Sequence, residues 1–134
     1  MPRLYREAPI NAIWEGSGNV QCLDVLRAIS RAPQTLEAYF AEVEAARGGN
    51  RALDAHVAAL KDDLADLGDF EARARDLCDR LALALQASVM VRSAPAAVAD
   101  AFCAARLEPR AARNWGALPT GLDLKAIVKR AAPR

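Results

Sequence analysis

Apolar residues recur at helical spacing along most of this chain. From Asn19 to Ser30, Val20, Leu23, Leu26 and Ile29 fall on one side of a helix, and Asn19 is of a type that caps one. The run Arg31-Ala32-Pro33 ends it, because a residue before proline avoids helical geometry while Pro33 suits the first turn of the next helix. That second helix, over 34–47, offers Leu36, Tyr39, Phe40 and Val43 as its stripe and stops at Gly48 and Gly49, which suit a left-handed exit. A third, over 51–67, aligns Leu53, Val57, Leu60, Leu64 and Leu67 opposite Lys61, Asp62, Asp63 and Asp66. Gly68 closes it and Asp69 is placed to cap the fourth, over 70–92.

The fourth helix is amphipathic at first and apolar nearly all round after Arg80, which predicts a central helix whose second half is enclosed. A fifth covers 93–107, with Ser93 near its cap, Pro95 in its first turn, and Val98, Phe102 and Leu107 among its apolar residues. A looser stretch, 108–119, contains Trp115 and two prolines. The last helix, over 120–132, is expected to start at Thr120 with Asp123 completing a capping box. Residues 1–18 show no helical period and hold Pro2, Pro9, Gly16 and Gly18, so they are expected to form an irregular arm. The predicted fold is therefore all-α: an irregular N-terminal arm over 1–18, then an antiparallel helical bundle over 19–134 with short connections.

Composition agrees with that pattern. Hydrophobic residues make up 53% of the 134, mostly alanine and leucine with few aromatics, which suits helices packed closely through small side chains. The longest apolar run, Leu81 to Val91, is about half of what a membrane span needs and is bounded by Arg80 and Arg92, so no membrane partner is expected. The opening MPRLYRE lacks the apolar stretch of a secretion signal, and a cytoplasmic location is the expectation. Cys22, Cys78 and Cys103 are too far apart in sequence for a metal-ligand pattern and read as reduced thiols within helices; no metal site is expected. His56, the one histidine, reads as a boundary residue of its helix.

Charge is uneven. Residues 1–104 carry 11 basic and 15 acidic side chains, whereas 105–134 carry 7 basic and 2 acidic, so a basic end follows a mildly acidic body. The cations at that end are Arg106, Arg110, Arg113, Lys125, Lys129, Arg130 and Arg134.

One stretch carries candidate chemistry. In IWEGSGNV, residues 13–20, the carboxylate of Glu15 stands between Trp14 and a glycine-loosened turn that leads into a helix. A helix start with small residues, here Gly16, Ser17, Gly18 and Asn19, is a natural place for a phosphate group. A carboxylate shielded by an indole would have a raised pKa and could act as a base. The spacing alone leaves open an ordinary solvated acid in a turn.

The wider segment RLYREAPINAIWEGSGNVQCLDVLRAI, residues 3–29, resembles the end of the catalytic region in acyl-CoA dehydrogenases, specifically the AidB-like branch of that flavoprotein family. Trp14 takes the place of the family's tyrosine, Glu15 that of its base, Gly16 and Ser17 those of Gly and Thr, and Val20 with Gln21 the closing pair. The likeness covers about a fifth of the chain closely and is diffuse beyond Arg31. It implies that Glu15 abstracts the α-proton of an acyl-CoA thioester while its backbone N–H helps hold the thioester oxygen. It also implies that Gly16, Ser17 and Asn19 touch FAD and that Trp14 walls the acyl pocket. The family's other domains, which supply most of the flavin and CoA surface, have no counterpart here, so the chain is expected to be a fragment of a larger protein that neither binds FAD nor turns over alone.

The same resemblance implies double-stranded DNA as a partner, linked to the response to alkylation damage, through Arg106, Arg110, Arg113, Lys125, Lys129 and Arg130, with Arg27 added if the first bundle helix faces the same way. The plainer alternative for these residues is a solvated basic tail. A homo-oligomeric, structural bundle driven by bare apolar surface is the other alternative.

Overall fold

The computed structural model describes residues 2–12, 14, 16–65, 69–108 and 118–131. These form seven α-helices: α1 (Pro2–Glu7), α2 (Gly18–Arg31), α3 (Gln34–Glu44), α4 (Arg51–Ala65), α5 (Phe70–Ser93), α6 (Ala96–Arg106) and α7 (Leu124–Ala131), with a 3-10 turn at Ala8–Ala12 after α1. No strand occurs among the described residues, and the fold is all-α as the periodicity predicts.

Helix α5 is the hub, touching α2, α3, α4 and α6. Gly49 lies against Val91, His56 Nε2 contacts the Arg80 carbonyl at 3.1 Å, and Asp63 reaches back to Arg80 and Arg73, so α4 and α5 run in opposite senses. Across α3 and α5 the sense is shared: the Tyr39 hydroxyl donates to Leu81 O at 2.6 Å and the Ser88 hydroxyl donates to Glu42 O at 3.4 Å. Alternate members of an up-and-down bundle pair this way.

The core follows the predicted stripes of α3 and α4, whereas of the α2 stripe only Leu26 is buried, Ile29 is half-buried, and Val20 and Leu23 are exposed. Leu53, Val57, Leu60 and Leu64 of α4 are buried against Val43 of α3 and Leu77, Leu81, Ala84 and Ala87 of α5. Leu36, Tyr39 and Phe40 pack on its margin, with Tyr39 and Phe40 meeting edge to face at 5.2 Å between ring centres. Burial pushes the Tyr39 hydroxyl well above its ordinary range, so it stays a donor to Leu81 O at any physiological pH. In helix α6, Ala99, Ala101, Cys103 and Ala105 are the buried residues, while Val98, Phe102 and Leu107 are half-buried. Small side chains let α6 approach α5 closely, and the larger residues are displaced to the flanks. Contrary to expectation, α5 is not enclosed after Arg80, because Leu85 and Val89 are exposed at 37% and 45%.

Several boundaries move for identifiable reasons. The arm is not extended: residues 2–12 are helical, with Pro2 in the first turn, where a missing N–H costs nothing, and Arg3 Nε donating to Glu7 Oε1 at 3.0 Å one turn on. None of its described residues is buried. Helix α2 begins at Gly18 with Ser17 at the N-cap, not Asn19, whose side-chain oxygen is taken by Arg75. Helix α4 has an Asn50 cap that the pattern did not single out; Asn50 Oδ1 accepts from Ala52 N at 3.0 Å and Leu53 N at 3.3 Å. Asp69 stands at the start of α5, but in a left-handed conformation and without a side-chain cap bond. Ser93 is the last residue of α5 rather than a cap for α6. Helix α7 starts four residues later than Thr120, because Asp123 itself is the cap, its Oδ1 accepting from Ala126 N at 3.0 Å. Gly48 takes the left-handed φ of +79° expected of it, whereas Gly49 is needed for space: a Cβ there would sit 2.6 Å from Val91 Cγ1.

Candidate functional site

The turn before α2 is built by three features. Trp14 N donates to Ile10 O at 2.8 Å, which carries the 3-10 turn into the motif. Gly16 has φ +116°, a conformation that disfavours any side chain, and a Cβ at that position would meet Val20 Cγ1 at 3.3 Å. Gln21, one turn into α2, reaches back: its Nε2 donates to Trp14 O at 3.0 Å and to Gly16 O at 3.3 Å. A single amide thus pins the backbone on both sides of position 15. Glu15 lies outside the described residues. Trp14 is 58% exposed, so its ring is free to face a ligand or another part of a larger protein.

At the start of α2 the free amides meet a cation from elsewhere in the fold. A Cβ on Gly18 would lie 3.2 Å from Arg75 Nη2, so glycine makes room for that guanidinium, and Arg75 Nη1 donates to Asn19 Oδ1. Helix amides and a guanidinium both attract negative charge, and their convergence beside Gly16, Ser17 and Asn19 is suited to a phosphate oxygen. Arg75 is the functional candidate that reading the sequence missed. It lies 56 positions beyond Asn19 on another helix, and no local pattern connects the two. Gln21 was legible as part of the motif, but its clasp on residues 14 and 16 was not.

The basic candidates are dispersed. Arg27 is paired with Asp24 one turn before it on α2, which packs on α3 and α5. Arg106 ends α6, half-buried, and α7 packs on α6 with Lys125, Lys129 and Arg130 exposed. Arg110, Arg113 and Arg134 lie outside the described residues. Among the described residues, none of the three α7 cations enters an ion pair, unlike Lys61, Arg80 and Arg92 in the bundle. A groove of about 810 Å³ between α4 and α6 is lined by Asn50, His56, Asp100 and Leu107, among others. Among the described residues no cluster of three or more His, Cys, Asp or Glu could hold a metal, and no helix is long and apolar enough to cross a membrane.

No known family profile matches the chain. No solved structure matches it either. Over 113 residues, 82% of this chain, it is 37% identical to a protein of Escherichia coli (strain K12) named "Putative acyl-CoA dehydrogenase AidB". The match spans 20% of that protein, so the chain corresponds to about a fifth of its relative's length. With more than a third of its residues shared across most of its own length, and with the motif around Glu15 already pointing the same way, the chain belongs to the AidB-like branch of the acyl-CoA dehydrogenase family.

Proposed function

We propose that this chain is the C-terminal helical part of an AidB-like flavoprotein and supplies its proton-abstracting carboxylate, Glu15. The observation that carries this reading is the clasp of Gln21 on the carbonyls of Trp14 and Gly16, which holds the residues on either side of Glu15 to the first turn of α2. In this reading Glu15 takes the α-proton of an acyl-CoA thioester, and its backbone N–H donates to the thioester oxygen, which lowers the cost of charge developing there. Trp14 excludes water beside the acyl chain. FAD, bound mainly by the rest of the protein, would accept the β-hydride. The amides of Ser17 and Gly18, with Asn19 and Arg75, would hold a phosphate of that cofactor at one edge, Gly18 leaving room for the Arg75 guanidinium beside it.

In the complete flavoprotein, Glu15→Gln should lower acyl-CoA-dependent flavin reduction by about 10²–10⁴-fold with bound flavin unchanged. Undiminished reduction would overturn the assignment. The isolated chain should cause no saturable quenching of FAD fluorescence, and tight stoichiometric uptake would show that the cradle is not shared with other domains.

A second reading rests on the cations of α7, which enter no ion pair among the described residues. Lys125, Lys129 and Arg130 could contact the phosphates of double-stranded DNA, with Arg106 at the neighbouring helix end. Binding measured by fluorescence anisotropy should weaken steeply with salt and on Lys/Arg→Ala changes in α7. An absence of binding at low salt removes this reading.

A further inference from the structure

Two of the three cysteines, 56 positions apart in sequence, meet where α2 crosses α5: the Cys78 thiol lies 3.7 Å from the backbone carbonyl oxygen of Cys22 and donates to it. Both side chains are half-buried, whereas Cys103 is enclosed in the core. We propose that Cys22 and Cys78 form a redox-active thiol pair that a hydroperoxide converts to a disulfide, stapling α2, the helix that follows the Glu15 turn, to the central helix α5.

Burial first, and then the charge and hydrogen bond of the Cys22 thiol, push Cys78 up to about 12, so Cys78 is protonated at neutral pH. In the proposed sequence Cys22 reacts first. Its sulfur attacks the outer oxygen of the peroxide, the O–O bond breaks, and an alcohol leaves carrying the thiol proton; Cys22 is now a sulfenic acid. The Cys78 sulfur then bonds to that sulfur, and hydroxide leaves as water with the Cys78 proton. The two sulfurs together give up two electrons, and the peroxide takes both. Cys103 is spared, since it is 1% exposed and burial also holds its thiol up at about 11.

The test uses the full chain, dilute and fully reduced, exposed to hydrogen peroxide and then alkylated. Of three thiols, one should remain alkylatable, and peptide mapping should find Cys22 joined to Cys78. The unfolding midpoint should rise by about 5–10 °C over the reduced chain, because the link closes a long loop in the unfolded state. Cys22→Ser or Cys78→Ser should abolish both effects, and Cys103→Ser should abolish neither. Three alkylatable thiols after oxidation, a link between two chains, or sulfinic acid at Cys22 with no internal link would each overturn the proposal. Should a serine variant fail to fold, the peptide map of the unsubstituted chain decides alone.

Discussion

The bundle formed by α3 to α6 and the two ends of the chain are built on opposite terms. In the bundle, Val43, Leu53, Leu60, Leu77 and Cys103 are nearly inaccessible, and charges at its rim are matched: Glu44 with Lys61, Asp63 with Arg80, Glu42 with Arg92. Lys61 also lies 5.0 Å above the Phe40 ring, so its charge is held from two sides. At the ends the same residue types are left open. Leu4, Tyr5, Ile10 and Trp14 before α2, and Leu124 and Val128 on α7, are exposed, and α7 also carries the exposed Lys125, Lys129 and Arg130. Stability therefore resides in the bundle, and the surface available for chemistry and partners lies at its ends. Helix α2 joins the two, with Leu26 buried and Val20, Leu23 and Val25 exposed.

That contrast can be broken most directly in the core. Leu77→Ala removes a side chain with no exposure from the middle of α5 and should cost about 2–5 kcal/mol, read as a fall in urea midpoint. Val128→Ala, at 70% exposure, should stay within about 0.5 kcal/mol. Equal losses would show that Val128 is buried in solution. Next in size is Gly49→Ala, which drives a methyl group into Val91 and the Ala46 carbonyl and should cost about 1–3 kcal/mol. Val91→Ala in the same chain should recover part of it if the clash is the cause.

Asn50→Ala sharpens the comparison at a helix start. Its side chain caps α4 and also donates to Asp100 on α6 at 3.3 Å, so the loss should be about 1 kcal/mol, whereas Ser17→Ala, which removes no cap bond, should be near neutral. The smallest effect concerns acid. The hydrogen bond from Arg80, then its charge and that of Arg73, hold the Asp63 carboxyl below the usual carboxylate range. A depressed carboxylate contributes stability that is fully present above its unfolded pKa and is lost as pH falls through the lower folded value. Asp63→Asn should therefore lower neutral and alkaline stability slightly, leave stability in strong acid unchanged, and so flatten the acid limb of a stability-against-pH curve a little, as expected for a partly exposed pair. A variant whose acid limb is as steep as the parent's would assign the dependence to other carboxylates, Glu44 beside Lys61 first among them.

Helix positions were legible where one face repeats long apolar side chains. Leu53, Val57, Leu60 and Leu64 identify α4 and its buried side without ambiguity, because a helical period of that length admits one orientation. In α6 the pattern offers Val98, Phe102 and Leu107 among several apolar residues without fixing a buried face, and alanines with Cys103 occupy it. Alanine is hydrophobic on every face and carries little orientational signal, so close approach between backbones decides. The arm was misread for a related reason: its prolines and lack of period conceal a helix that rests on a terminal proline and one ion pair. Of the candidate site, the order of residues 14 to 21 was readable, since a turn and its helix are local in sequence.

What the chain determines by itself is local: which segments are helical, where glycine and proline interrupt them, and which motif precedes α2. Those properties depend on interactions between residues a few positions apart, so they survive without knowledge of the rest. Only the tertiary structure decided that Arg75 lies over the start of α2, that Cys78 reaches Cys22, and that Leu85 and Val89 face outward on a helix apolar nearly all round. Each depends on how α2 and α5 cross, and a crossing is set by the summed packing of many side chains, which no short window of sequence contains.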